Sequence, residues 1–156
     1  MRLNKTTLEN TQYLTFDELT ALFDEDNDCI YDLINNGVDI NINTYKNESF
    51  LMYALKNCED VDIINTILDC GADIHSRNMF NRTPLMVCVK NQDCPEIVKL
   101  LLKRGSDANA VDDYGNTALT YSKIYSRSQK IQSLLEKSSK SNCISFDTIK
   151  WKDNRF

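Results

Sequence analysis

Residues 78–110 read NMFNRTPLMVCVKNQDCPEIVKLLLKRGSDANA, and this stretch holds two apolar patterns of helical spacing. The first is Leu85, Val87, Cys88 and Val89; the second is Ile97, Val98, Leu100, Leu101 and Leu102. Thr83 followed by Pro84 is a helix start. The hydroxyl can accept from an unpaired backbone N–H, and proline lacks the N–H that would otherwise go unpaired. Pro95 opens the second helix in the same way, with Glu96 set against its positive end. Gly105 ends it, because a left-handed cap costs glycine least. The unit therefore reads helix, short turn, helix, extended turn.

The same signals recur outward from this stretch. Gly37, Gly71 and Gly105 stand 34 residues apart, and Asp39, Asp73 and Asp107 follow at that interval. Asn41, His75 and Asn109 do so too, as do Ser49, Thr83 and Thr117 with Leu51, Leu85 and Leu119. The whole chain holds only four glycines and two prolines, so the regular placement of three glycines is informative. A fixed period of this size means one supersecondary unit copied in tandem and stacked into an all-α solenoid.

The repeat resembles the ankyrin repeat, whose consensus carries TPLHxA on the inner helix and GADVNA after the outer one. The matching segments are Thr83-Pro84-Leu85-Met86, Gly71-Ala72-Asp73-Ile74-His75 and Gly105-Ser106-Asp107-Ala108-Asn109-Ala110. Asp112-Asp113-Tyr114-Gly115-Asn116-Thr117-Ala118-Leu119 is similar to the family's D-x-x-G-x-T-P-L. The usual period is about 33 residues. Here the additional residue falls between the helices, around Asn91 to Cys94 and again between Asn57 and Asp60. Four units are expected, at about 15–42, 43–76, 77–110 and 111–137, the first with a degenerate inner helix. Residues 1–14 are expected to cap the N-terminal end. Ser138 onward (SSKSN) reads as a linker to an aromatic tail ending at Phe156. That tail, within 138–156, is either a cap over the fourth unit or a short motif that docks to another protein.

Composition bounds the function. With 156 residues, 42% hydrophobic and 26% charged, the chain is one globular domain. A net charge of −5 gives no overall reason to approach nucleic acid or an anionic membrane. No apolar run approaches the roughly 20 residues of a membrane span, and the first residues are too polar for a secretory signal. Six cysteines without a CxxC pair or zinc-like spacing read as reduced thiols of an intracellular protein. No phosphate-binding loop, HExxH or paired-carboxylate arrangement is present. The lone histidine, His75, sits where the other units carry asparagine, and it is read as bracing a turn. The acidic run Asp24-Glu25-Asp26-Asn27-Asp28 lacks the glycine and closing glutamate of a calcium loop. No enzyme activity, cofactor, metal or small-molecule substrate is expected, and the chain should be a monomer that binds a protein.

The resemblance also implies where. In ankyrin repeats the variable, partner-facing positions are those around the turn glycine, the end of the inner helix and the last position of the unit. Here they fall on Asn43, Tyr45, Lys46, Glu48, Lys56 and Asn57, then on Arg77, Met79, Phe80, Arg82, Lys90 and Asn91. The last unit supplies Val111, Asp113, Tyr114, Asn116, Ile124 and Tyr125. Two of the three turn glycines are replaced, by Asn47 and Asn81, which tolerate left-handed geometry. Five basic and two acidic residues give this set +3 on a chain of −5. The expected role is an adaptor or inhibitor whose groove takes an acidic protein segment with a few apolar anchors. The alternative is an assembly factor that docks through its tail.

Overall fold

A computed structural model describes residues 39–44, 46–125 and 128–141, with Thr15, Asp17 and Thr20 upstream. Most of the first unit, the N-terminal capping segment and the aromatic tail lie outside the described residues. Three helical hairpins are seen. They are α1 (Phe50–Asn57) with α2 (Val61–Asp69), α3 (Pro84–Asn91) with α4 (Pro95–Lys103), and α5 (Ala118–Tyr125) with α6 (Gln129–Ser141). Each helix of a hairpin lies against its mate and against its counterpart in the next unit. The inner helices α1, α3 and α5 form one layer and α2, α4 and α6 the other.

Helix starts follow the sequence signals. Ser49 and Thr83 accept hydrogen bonds from the backbone N–H of Met52 and Met86, both at 3.3 Å. Asp60 caps α2 through Asp62 N–H at 2.8 Å, whereas Cys94 gives α4 no side-chain cap, leaving Pro95 and Glu96 to favour that end. Helix ends are closed by glycine in the left-handed region, with φ of +87° at Gly71 and +99° at Gly105. At the second, Gly105 N–H donates to Leu102 O (3.1 Å) and Ser106 N–H to Leu101 O (3.0 Å). This pair satisfies carbonyls that the helix leaves unpaired. The interhelical turns, Cys58-Glu59-Asp60 and Gln92-Asp93-Cys94, match each other in length and are tied by Gln92 Nε2 donating to Cys58 O at 2.7 Å.

The core runs between the two layers without interruption. Phe50, Leu51, Leu55, Ile64, Ile67, Leu85, Met86 and Ile97 are fully buried, and a fully buried aliphatic or aromatic side chain contributes about 1.5–3 kcal/mol. Cys88 also has no exposure, and burial pushes its thiol well above the ordinary range. Cys58, Cys70, Cys88 and Cys94 are all unpaired.

Two details differ from the sequence reading. The last helix continues through Ser138-Ser139-Lys140-Ser141, where a linker was expected, and Ser139 Oγ donates back to Leu135 O at 2.8 Å. Lys140 is exposed there while Ser138 and Ser139 are half-buried, so the polar run is the side of a helix, a pattern that resembles a linker when read without its apolar partners. His75 also fails to brace its turn. Its counterpart Asn41 bonds across to Gly71 O (3.0 Å) and accepts from Asp73 N–H (2.9 Å). The His75 ring is exposed, and only its backbone N–H is held, by Asp73 Oδ1 at 2.8 Å.

Candidate protein-binding face

Between an outer helix and the next inner helix, the chain turns outward into an extended tip. Each tip is built on one side chain that accepts two backbone N–H groups. Thr44 holds Lys46 and Glu48 (3.2 and 3.0 Å), Asn78 holds Phe80 and Arg82 (3.0 and 3.1 Å), and Asp112 holds Tyr114 and Asn116 (3.0 and 2.8 Å). The residue at the bend is left-handed in all three: Asn47 (φ 54°), Asn81 (φ 60°) and Gly115 (φ 74°). Successive tips join through Met79 N–H to Lys46 O (2.9 Å) and Asp113 N–H to Phe80 O (3.2 Å). The row is thus one continuous hydrogen-bonded edge.

On that edge, and at the ends of the inner helices beside it, the structure places the sequence-predicted residues. Tyr45 lies outside the described residues. Lys46, Asp113 and Tyr114 are exposed on the tips. Lys56, at the end of α1, pairs with Glu48. Arg77 is drawn into the scaffold: its Nη1 donates to Asn81 O (2.8 Å) and Val111 O (2.9 Å), bracing two tips. Lys90, at the end of α3, sets its Nζ over the Tyr125 ring, 5.7 Å from the centroid. Exposed large hydrophobic side chains among the described residues number six: Met79, Phe80, Val111, Tyr114, Ile124 and Tyr125. Their exposure runs from 37% at Phe80 to 66% at Tyr114. All six belong to the predicted partner-facing set. Elsewhere the described residues of the hairpins carry no such groups.

Arg82 is the most elaborately held side chain of this face. Its Nε donates to Tyr121 Oη (2.7 Å), and the same nitrogen is 3.4 Å from Asp112 Oδ2. Tyr121 in turn donates to that carboxylate oxygen at 2.5 Å. The guanidinium carbon lies 4.9 Å from the Phe80 ring centroid, 5.8 Å from Tyr114 and 5.4 Å from Tyr121. Burial opposes ionisation of Asp112. The hydrogen bonds from Tyr121, from the Asn116 and Tyr114 backbone and from Arg82 outweigh it, leaving the carboxyl below its usual range. Burial, and then the bond to Asp112, push the Tyr121 phenol up. Sequence reading missed Asp112 and Tyr121. The available signal was the alignment of units: the position held by Thr44 and Asn78 gains a carboxylate only where the preceding tip gains an arginine.

A hollow of about 260 Å³ opens between the second and third units. Among its walls are Lys56, Arg82 and Lys90 with Met79, Phe80 and Glu48. Among the described residues no group of histidine, cysteine or acidic side chains could hold a metal ion. Nor is any helix there long and apolar enough to cross a membrane.

Paired helices, protruding tips and one apolar-studded edge define a helical-repeat protein of the kind that binds other proteins. A family model described as ankyrin repeats (3 copies) matches residues 18–109 and, in a second placement, 51–145. The chain belongs to the ankyrin-repeat family, whose repeats mediate protein–protein interactions and are not typically catalytic. No curated protein matches it.

Proposed function

We propose that this chain is a monomeric, non-enzymatic adaptor or inhibitor that holds a protein segment along the face formed by its tips and inner helices. The observation that supports this most is the confinement of every exposed large hydrophobic side chain of the described residues to that face. Isolated apolar groups on a surface need no explanation, but a set gathered beside arginine, lysine and tyrosine has the composition of a binding hot spot. The excess of basic groups beside them favours an acidic segment with apolar anchors. Binding by occupancy requires no chemistry of its own, which suits a face of rigid backbone and aromatic side chains.

The test replaces Met79, Tyr114 and Tyr125 together by serine. All three are more than half exposed, so the helical circular dichroism and thermal midpoint should stay those of the wild type. A partner recovered from the source cell with the wild-type chain should be lost. Undiminished binding by the folded triple variant would place the interface elsewhere.

A further inference from the structure

The hollow between the second and third units differs from the rest of the face in its charge. Four basic side chains and one carboxylate line it, and that carboxylate, Glu48, is already engaged by Lys56. Arg82 is held from behind through Nε alone. Among the described residues nothing hydrogen-bonds its two terminal nitrogens. Lys90 meets only the Tyr125 ring and has no carboxylate within ion-pair distance among those residues. Asp112 balances the Arg82 charge from behind, so what the hollow offers on its polar side is the two unoccupied guanidinium nitrogens and the Lys90 ammonium.

Its size and stiffness narrow the occupant. About 260 Å³ is below the range of sites for drug-sized ligands and suits one or two side chains. A guanidinium already fixed by three rings and a buried acid loses little freedom when a ligand arrives. Its open edge presents parallel N–H donors, the geometry that pairs with a carboxylate or phosphate. Met79 and Phe80 lie against the same hollow and offer an apolar shelf.

We propose that this hollow is an anion-anchoring subsite, in which Arg82 and Lys90 grip one acidic side chain of the partner while its neighbour rests on Met79 and Phe80. The anionic group is a carboxylate or a phosphorylated hydroxyl on a peptide. The proposal rests on the protein-binding reading above and adds the specificity-determining residues.

Random dodecapeptides displayed on phage are selected on the whole wild-type chain, and the enriched sequences are synthesised with a fluorescent label for anisotropy. Enriched peptides should carry Asp or Glu beside a large apolar residue. Replacing that acid by Gln should weaken binding roughly tenfold to a hundredfold, the range for a lost charge-assisted hydrogen bond. Lys90→Glu should cause a loss of the same size with an unchanged thermal midpoint. Arg82→Gln should do likewise, and if it fails to fold, the Lys90 variant alone decides. Exchanging the acid for phosphoserine distinguishes the sources: tighter binding assigns a phosphopeptide, weaker binding a carboxylate. Peptides that depend on Met79 and Tyr114 but ignore the Gln exchange and Lys90→Glu would overturn the anion anchor and leave the protein-binding face standing. Peptides indifferent to all of these changes, or no enrichment at all, would overturn both.

Discussion

Replacing Asp112 by asparagine isolates the charge behind Arg82 from the shape of the tip. The third unit already carries an amide there, since Asn78 Oδ1 holds Phe80 and Arg82 N–H at 3.0 and 3.1 Å. An asparagine at 112 can therefore keep both backbone bonds of its own tip. What it loses is the second carboxylate oxygen. The bond at Tyr121 (2.5 Å) must reverse, the new amide N–H donating to Tyr121 Oη, so a charge-assisted bond becomes a neutral one, and the long contact from Arg82 (3.4 Å) meets an N–H instead of an acceptor. Charged hydrogen bonds contribute about 1.5–3 kcal/mol and neutral ones about 0.5–1.5. The Tyr121 exchange costs roughly 1 kcal/mol and the Arg82 contact about as much again, reduced a little because an amide is cheaper to bury. The expected loss is about 2 kcal/mol at neutral pH, measured by urea denaturation. Its pH dependence is fixed by the lowered pKa of Asp112. The carboxylate's contribution is complete above the unfolded value of about 3.9 and disappears as pH falls through the lower folded value. The gap between wild type and Asp112→Asn should close over that interval. A difference under about 0.5 kcal/mol at pH 7, or a gap that persists in acid, would refute the assignment of Asp112 as the ionised support of Arg82.

Tyr121→Phe should act at the other end of the pH scale. The raised phenol pKa makes the folded state retain its proton longer, so wild-type stability should fall above about pH 10 while the phenylalanine variant loses that dependence. Gly105→Ala meets nothing within 4 Å, so its cost is that of the left-handed backbone alone. A loss of about 1 kcal/mol by thermal melting is expected, and a neutral result would contradict the cap geometry. Asn81→Gly should be within a few tenths of a kcal/mol of wild type and Asn81→Ala about 1 kcal/mol below it, by the same assay. Alkylation followed by mass spectrometry should label Cys94 in the native chain and leave Cys88 untouched until unfolding, because Cys88 is wholly buried.

How much of this was legible in the sequence depends on the range of the interaction concerned. Helix starts and stops are local, so Thr83-Pro84 and Gly105 could be read where they stand, and their recurrence at Ser49 and Gly71 fixed the hairpins. The left-handed bends at Asn47 and Asn81 are local as well. Exposure of Met79, Tyr114 and Tyr125 followed from the unit's geometry once the family was recognised. The Arg82 centre was not legible in that way, because its members come from two units, 30 and 39 residues apart along the chain. A repeat hides such centres: its period draws attention to positions that agree, whereas Arg82 and Asp112 matter because they break the pattern together, beside a tyrosine that the second unit also carries at Tyr53. Arg77 shows the converse. Its charge suggested a ligand contact, and the structure adds a second role that the sequence did not show, one guanidinium nitrogen bridging the carbonyls of Asn81 and Val111. In a solenoid, then, departures from the repeat that compensate one another across a seam are where a common scaffold becomes a particular binding surface, and the seam from Arg82 to Asp112 is where this chain makes that change.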